Sequence, residues 1–366
     1  MQENTEKKQL NFTMLVDETK EIPKFVCKTA KNTEYVKYGE MNDFPNYLYD
    51  LYEQSSQFSS IIDTMNDYIQ GNGIVSNYPL KIVNHKGETF NDLIEKIIYD
   101  YLIFGGFAIQ VIRNKMGNVA ELNHIDMRFI RTNEDEDRLY YSKEWIKGRR
   151  VPKVYEKFSK SSNQPNSIFY YKGRKTREVY PSPIYLSALT SLEISTQIPS
   201  FHLNNLTNGF HPSAIVNFNN GSNLSENVMD EIEEKIKEKF TGTKNASKIM
   251  LSFNDDLTHK TTIERLPDDG SVDIYNTLKE SVEKDIYTAF RISKLLMGNG
   301  EDNTGFSKQT YIEAFALYNK TVIQPIQKEL EDIINFVLGD GALHFDEFKI
   351  NWGDTGADED NSDIIK

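Results

Sequence analysis

The sequence predicts an α+β fold, because two kinds of apolar spacing occupy different parts of the chain. Apolar residues recur every three or four positions over residues 47–70 and 90–104, which is typical of amphipathic helices. Short runs rich in aromatic and β-branched residues follow over residues 107–180, separated by turn residues, which is typical of strands. Helices in one block and strands in the next favour α+β over an alternating α/β fold.

The elements of the first half are bounded by glycine and turn residues. Gly71 and Gly73 are expected to end the first helix, and Gly105 the second, because glycine readily adopts the left-handed conformation of a helix C-terminus. We expect the strands that follow to form a meander. The predicted strands are 107–113, 119–125, 129–132, 139–141, 154–158, 168–171 and 178–180.

The second half begins at Pro181 and Pro183, which fix the backbone and mark a boundary. A helix is predicted over residues 184–208, kinked at Pro199, and strands at 214–218, 248–253 and 261–266 surround a helix at 224–240 in a β-α-β-β insertion. We then expect a long helix over 271–297, a polar loop, a helix over 307–338 bent at Pro325, and a strand over 343–352. Residues 1–20 and 353–366 are predicted to be disordered.

Composition excludes several classes of protein. The 366 residues carry a net charge of −13, which argues against a surface that grips nucleic acid everywhere. Cys27 is the only cysteine, so a disulfide scaffold is excluded. The N-terminal region lacks the apolar stretch of a signal peptide, and the longest apolar run, near residues 101–112, is too short for a bilayer. We therefore expect a protein made in a reducing cytoplasm, with no membrane partner.

Catalytic motifs are missing from the sequence. The six histidines show no metal-ligand spacing, and neither a phosphate-binding loop nor a nucleophile elbow occurs. Asp255 and Asp256 could hold Mg²⁺, but aspartate pairs are more often turn residues. We therefore assign no catalytic residue, metal or cofactor. A metal-dependent nucleic-acid enzyme that uses acidic residues stays open as an alternative, and so does a monomeric adaptor.

Three segments form a recognisable pattern when their order and spacing are taken together. The first begins with YGEMNDFPNYL at residues 38–48 and continues to residue 74. The second opens a helix at Pro183 and ends in NGFHPS at residues 208–213. The third begins with ISKLLMG at residues 292–298 and continues through a helix that contains Pro325. Together they span most of residues 35–338, and in this order they resemble the portal proteins of tailed bacteriophages.

The resemblance implies a homo-oligomeric ring, usually of twelve subunits, around a channel for double-stranded DNA. It divides the chain into several parts. These are a disordered arm (1–20), a wing (21–182), two stem helices (183–209 and 271–297), an inserted clip (210–270), a tunnel loop (298–306), a bent helix with a return strand to the wing (307–352) and an acidic tail (353–366). The short C-terminal part departs from the family pattern, so the helical crown of many portals is expected to be reduced or absent.

The resemblance also implies where DNA is contacted. In the tunnel loop and just after it, Asn299, Asp302, Asn303, Thr304 and Lys308 are the candidates, although an ordinary flexible connector would have the same composition. In the second stem helix, the candidates are the basic residues Lys284, Arg291 and Lys294. These three could face the channel or form salt bridges with Glu280, Glu283 and Asp285, and residues alone favour the second alternative.

Docking partners follow from the same resemblance. The clip helix carries charged residues, Glu231, Glu234, Lys235 and Glu238, where a terminase motor and a head–tail adaptor could dock. The basic stretch at residues 143–177, with eleven lysines and arginines against two acidic residues, could meet the major capsid protein, scaffold or DNA, or could protect strand edges from aggregation. The implied location is the capsid vertex of the virion, after assembly in the host bacterial cytoplasm.

Overall fold

The computed structural model describes residues 22–29, 33–79, 81–145, 151–162, 164–174, 176, 178–207, 212–218, 248–253, 262–265, 271–298, 308–346 and 348. The chain divides into two compact units. Unit 1 comprises Met1–Tyr52, Ile62–Leu186 and Asn319–Lys366, and unit 2 comprises Glu53–Ile61 and Ser187–Tyr318.

The first helical region is interrupted at Ser55. After a two-stranded ladder of β1 (Cys27–Thr29) and β2 (Val36–Tyr38), the chain forms α1 (Phe44–Gln54) and α2 (Ser56–Gln70). The Ser55 hydroxyl accepts a hydrogen bond from the backbone N–H of Phe58 at 3.3 Å. A side-chain acceptor of this kind begins a new helix, so the prediction of one continuous helix over residues 47–70 is wrong at this position.

The second helix, α3 (Phe90–Phe104), has the predicted bounds. It begins with a reciprocal capping box between Thr89 and Asp92 and ends at Gly105, whose φ is +82°. A Cβ atom at Gly105 would lie 2.4 Å from the carbonyl oxygen of Ser182, so glycine is required there for space as well as for conformation.

Strand pairing in unit 1 is more complex than a meander. The short β3 (Gly73–Val75) pairs elsewhere, and six strands form the main sheet in the order β5-β4-β9-β8-β7-β6. Those strands are β4 (Phe107–Arg113), β5 (Val119–Ile125), β6 (Ile130–Thr132), β7 (Arg138–Tyr141), β8 (Lys153–Lys157) and β9 (Asn166–Tyr171). β4 pairs with both β5 and β9, and β8 runs parallel to β9.

The strand predicted at 178–180 is absent from the described structure. Tyr180 is buried, and its hydroxyl donates to the carbonyl oxygen of Val36 and accepts from the backbone N–H of Thr132. These side-chain hydrogen bonds hold Tyr180 in place, and Pro181 cannot donate a backbone hydrogen bond to a neighbouring strand. The segment is therefore an irregular connection and not a β-strand.

The core of unit 1 contains a fully buried arginine. Arg131 donates to the side-chain and backbone oxygens of Asn42 and to the carbonyl oxygen of Ile130. Its guanidinium also lies 5.7 Å from the ring centroid of Tyr38 and 4.8 Å from that of Trp145. Desolvation lowers the pKa of Arg131, and the charge is held by neutral oxygens and ring faces instead of a carboxylate.

A buried ion pair joins α3 to β5. The Nε2 atom of His124 lies 2.7 Å from the Asp100 carboxylate. Burial alone would lower the pKa of His124, but Asp100 raises it above its ordinary value. The pair therefore favours the charged imidazolium form.

Unit 2 contains two helices, and along the sequence one precedes and the other follows the strands of a small sheet. A 3-10 turn (Leu186–Ala188) leads into α4 (Leu189–Thr207), which contains Pro199, and α5 spans Ser271–Phe290. The two helices pack against each other, and the hydroxyl of Ser191 donates to Asp285 at 3.2 Å. The sequence therefore separates two helices that are neighbours in space.

Between them in the sequence lie β10 (Pro212–Phe218), β11 (Lys248–Phe253) and β12 (Thr262–Arg265), close to their predicted positions. β10 is central, parallel to β11 and antiparallel to β12. The helix predicted at 224–240 lies outside the described residues.

The last part of the chain contains an irregular helix. α6 (Lys308–Tyr318) leads into a π turn (Asn319–Ile323) and then α7 (Gln324–Leu338). Pro325 cannot donate a backbone hydrogen bond and its ring crowds the preceding turn, which explains the irregularity that was predicted there. Only His344–Asp346 of the strand predicted at 343–352 is described as strand. This segment, β13, pairs antiparallel with β3. The arm at 1–20 and the tail at 353–366 lie outside the described residues.

Candidate functional site

The structure brings the three predicted basic residues of the second long helix together. Lys284, Arg291 and Lys294 line one open pocket of about 760 Å³ in unit 2. The other lining residues are Glu280, Tyr287, Thr288, Ile292 and Ser293. The lining residues therefore combine three cationic groups with one carboxylate, one aromatic ring and three hydroxyls.

The backbone, not one continuous helix, creates this grouping. α5 was predicted to reach residue 297 but ends at Phe290, because Arg291 has a φ of +56°. The N–H of Arg291 bonds to the carbonyl of Thr288, and the N–H of Ile292 bonds to that of Tyr287, both at 3.1 Å. These two bonds and the left-handed residue form a Schellman motif, in which glycine normally holds the position of Arg291.

A second, short turn positions Lys294. The Ser293 hydroxyl accepts a hydrogen bond from the backbone N–H of Leu295 and begins a 3-10 turn, Lys294–Met297, which ends at Gly298 with a φ of +77°. Lys294 is the first residue of this turn, so its side chain returns toward α5. Sequence reasoning missed the role of Ser293, although a serine after an interrupted helix is a recognisable cap signal.

The charges of the pocket are only partly neutralised. Lys294 forms a 3.0 Å ion pair with Glu283, and its Nζ atom lies 5.8 Å from the ring centroid of Tyr287. This pair is one of those that the residues alone favoured. Among the described residues, no carboxylate lies within ion-pair distance of Lys284 or Arg291. The pocket can therefore offer two cationic groups to an anion.

The remaining predicted site residues are not brought together by the described structure. Lys308 is the exposed first residue of α6. The tunnel-loop candidates Asn299, Asp302, Asn303 and Thr304, the clip candidates Glu231, Glu234, Lys235 and Glu238, and the acidic pair Asp255 and Asp256 all lie outside the described residues.

The basic stretch at 143–177 is partly neutralised within unit 1. Lys172 pairs with Glu136, and Arg174 donates to Asp332 at 2.9 Å. The ammonium group of Lys160 lies 4.4 Å from the ring centroid of Phe336. These contacts give several of the basic side chains a structural use.

Two kinds of feature are absent from the described part of the chain. Within those residues, no group of three or more histidine, cysteine, aspartate or glutamate side chains is placed to hold a metal ion. None of the helices found there has the length and apolar character needed to cross a bilayer.

The chain belongs to the phage portal protein family. The family match covers residues 75–359, which is most of the sequence. The family expected from the three sequence segments is thereby confirmed.

Two curated relatives are similar over part of their length. The chain is 23% identical over 232 residues to the probable portal protein of Haemophilus phage HP1 (strain HP1c1), covering 63% of this chain and 65% of that protein. It is 22% identical over 257 residues to the probable portal protein of Escherichia phage P2, covering 70% of each. The first match thus spans just under two thirds of its relative.

A solved structure has a similar fold. The chain superposes with a TM-score of 0.59 and 15% identity on a protein from the neck of a native gene transfer agent particle computed with C12 symmetry, covering 82% of this chain and 84% of that one. This likeness confirms the predicted α+β, portal-like fold.

Proposed function

We propose that this chain is a subunit of a ring-shaped channel at the capsid vertex, through which double-stranded DNA is packaged and later ejected. The observation that carries the proposal is the family match over residues 75–359. The ring is proposed to contain twelve subunits, with the C12 symmetry of the similar neck assembly as support. The mature assembly belongs to the virion.

The paired helices of unit 2 support a tubular wall. α4 and α5 are proposed as the stem, the sheet of β10, β11 and β12 as part of the clip, and unit 1 as the wing. Two packed helices per subunit resist bending, and an insertion between them projects a surface for other proteins. The clip is the proposed docking site of the terminase motor and the head–tail adaptor, and the wing faces the major capsid protein.

Contact with DNA is proposed at the end of α5. Lys284 and Arg291 are the cationic groups of the pocket without a carboxylate partner among the described residues, so they can meet phosphate oxygens. Lys308 and the tunnel-loop residues Asn299, Asp302, Asn303 and Thr304 would add sequence-independent contacts. Few cations per subunit suit a conduit, because each neutralised phosphate strengthens binding and would slow a moving duplex.

The role is proposed to be structural, with ATP hydrolysis in the separate motor. Negative-stain electron microscopy and native mass spectrometry of the purified full chain test the proposal. Annular particles with a mass of about twelve chains are expected. A single-chain mass at all protein concentrations would contradict the ring and favour a monomeric adaptor. Mg²⁺-dependent cleavage of DNA that is lost in a variant carrying Asp255→Ala and Asp256→Ala would favour the enzyme instead.

The DNA contact has its own test. Binding of a short duplex to assembled rings is measured by fluorescence anisotropy at several salt concentrations. Lys284→Gln should reduce the slope of log affinity against log salt by about 0.9 for each phosphate that is no longer neutralised. The matched control is Lys115→Gln, which removes one exposed lysine in a turn of unit 1. Equal slopes for both variants would contradict the proposed contact.

A further inference from the structure

The solvent face of α7 is a narrow stripe along the helix. Its exposed residues recur at intervals of three or four positions, which places them on one side of the axis. They are Pro325, Lys328, Asp332 and Phe336, and we call them the α7 stripe. The ring of Phe336 is 56% exposed. The stripe therefore ends in an aromatic surface that solvent can reach.

Two basic side chains from the strand region of unit 1 flank the α7 stripe. The Nζ atom of Lys160 lies 4.4 Å from the ring centroid of Phe336, and Arg174 forms a 2.9 Å ion pair with Asp332. Lys328 adds a third cationic group on the same side of the helix. Among the described residues, no carboxylate lies within ion-pair distance of Lys160 or Lys328. Both ammonium groups are thus available to an acidic partner.

The charge around the α7 stripe is positive even when the nearby carboxylates are counted. Asp332 is occupied by Arg174, and the half-buried Glu329 accepts a hydrogen bond from the hydroxyl of Tyr171 at 2.5 Å. Three cationic groups therefore face two carboxylates that already have partners. Two more basic residues follow Arg174 within three positions of the sequence. In a chain with a net charge of −13, such a surface favours acidic groups.

The last described residue of the chain leads to the same helix. The ring of Phe348 lies 5.2 Å from that of Tyr68 on α2. The carbonyl oxygen of the next residue, Ile69, accepts a hydrogen bond from the side chain of Gln327 at 2.8 Å. Gln327 immediately precedes Lys328, so the chain leaves the described structure close to the first cation of the α7 stripe.

The acidic tail, residues 353–366, is long enough to lie along the α7 stripe. Its first acid, Asp354, is six residues beyond Phe348 and can lie up to about 20 Å from it. The stripe extends about 12 Å along the axis from Lys328 to Phe336. The tail carries five acids, Asp354, Asp358, Glu359, Asp360 and Asp363, and then the apolar pair Ile364 and Ile365. Acids followed by apolar residues match a surface that begins with a lysine and ends with a phenylalanine.

We propose that the acidic tail docks on the α7 stripe of its own subunit. Its carboxylates pair with Lys160 and Lys328, and its apolar end lies against Phe336. Exposed ion pairs are individually weak, so several act together and salt weakens the contact. The contact lies within one subunit and is independent of the proposed ring.

Carbodiimide coupling of the full wild-type chain tests the contact, because it joins a carboxylate to a lysine only where the two touch. Unlabelled and ¹⁵N-labelled chains are mixed at a concentration too low for assembly, coupled, digested and analysed by mass spectrometry. We expect amide links from tail carboxylates to Lys160 or Lys328, each within one isotope. Lys115, an exposed lysine in a turn of unit 1, is the control and should form no such link.

The coupling can contradict the proposal in two ways. Links that join the two isotopes would show that the tail docks on a second copy, and the intrachain contact would be wrong. If neither Lys160 nor Lys328 is linked to the tail, or if Lys115 is linked as often, the stripe does not hold the tail. Neither result bears on whether the chain forms rings, which the electron microscopy tests separately.

Proteolysis of the tail provides an independent measurement. A glutamyl endopeptidase cuts after Glu359, and docking should slow that cut. A full-length variant with Lys160→Gln and Lys328→Gln should be cut about three- to tenfold faster, the effect expected from losing two exposed ion pairs. Lys86→Gln with Lys115→Gln removes the same charge from exposed turns of unit 1 and should leave the rate unchanged.

Salt separates the charge contact from a change in folding. At about 1 M sodium chloride, the wild type and the Lys160→Gln, Lys328→Gln variant should be cut at the same rate, because the pairs are screened. A faster cut of the variant that persists at high salt would mean that the substitutions loosen unit 1, and equal rates at low salt would mean that the two lysines do not hold the tail. Either result would overturn the proposal.

Discussion

Arg291 offers a substitution in which stability and DNA binding should change in opposite directions. Its backbone is left-handed, a conformation that costs a residue with a Cβ atom about 1–2 kcal/mol. Glycine avoids that cost but gives the unfolded chain more freedom, a penalty of about 0.5–1 kcal/mol. We therefore expect Arg291→Gly to raise the free energy of unfolding by about 0.5–1 kcal/mol.

A second variant separates the backbone from the guanidinium. Arg291→Ala also removes the guanidinium but retains a Cβ atom, so its stability should stay near that of the wild type. Both variants should weaken DNA binding equally, because the cationic group is absent from each. Urea unfolding of the unassembled chains, monitored by circular dichroism, measures the first quantity, and anisotropy of a fluorescent duplex on assembled rings measures the second.

The two measurements can fail separately. If Arg291→Gly is less stable than Arg291→Ala, the Schellman motif does not determine stability at this position. If both variants bind DNA as tightly as the wild type, the guanidinium does not contact phosphate. DNA binding would then not explain why an arginine occupies this left-handed position, where glycine is usual.

Three further predictions concern the core of unit 1. The wild type should lose stability as the pH rises from about 6.5 through the raised pKa of His124, because deprotonation breaks the ion pair with Asp100, and His124→Gln should abolish this loss. Urea unfolding at pH 6, 7.5 and 9 measures the stability of both proteins, and the same pH dependence in both would contradict the prediction. Arg131→Met should lower the free energy of unfolding by at least about 2 kcal/mol, since buried oxygens lose their donors, and Arg131→Lys should restore only part of that stability. Equal stability of the wild type and Arg131→Met in thermal unfolding would refute this prediction. Gly105→Ala should cost clearly more than about 1 kcal/mol and more than Gly87→Ala, which has the same φ of +82° but open space around its Cβ position, and thermal unfolding of the two variants compares them.

Much of the secondary structure could be predicted from local signals. α3 was found with its observed bounds because a single apolar stripe and Gly105 define it. The strands β4, β5 and β11 also matched, since each is a short apolar run between turn residues. In these segments local preference and tertiary packing favour the same conformation, and a single sequence is then sufficient.

The errors occurred where a distant contact or an atypical residue decides the structure. Nothing within residues 153–171 indicates that β8 lies parallel to β9, because strand order depends on pairing across the whole sheet. The end of α5 was placed seven residues too late, because an arginine occupies a left-handed position where glycine is the usual signal.

The candidate site shows the same division. Lys284, Arg291 and Lys294 were expected to be neighbours on one helix, and they are neighbours, but a helix end and a second turn bring them together. Helical spacing therefore predicted correctly that the three residues are neighbours, but it did not predict the helix end and the turn that bring them together. The roles of the tunnel loop, the clip helix and the basic stretch stay predictions.

The pairing of β3 with β13 has a consequence for how the chain folds during synthesis. About 270 residues separate the two strands, and a ribosome adds about 5–20 residues per second. The edge of β3 is therefore without its partner for on the order of a quarter of a minute to a minute. The larger segment of unit 2, Ser187–Tyr318, is synthesised during that interval. Unit 1 is thus completed last, which delays any association of its finished surface until translation of the chain is nearly over.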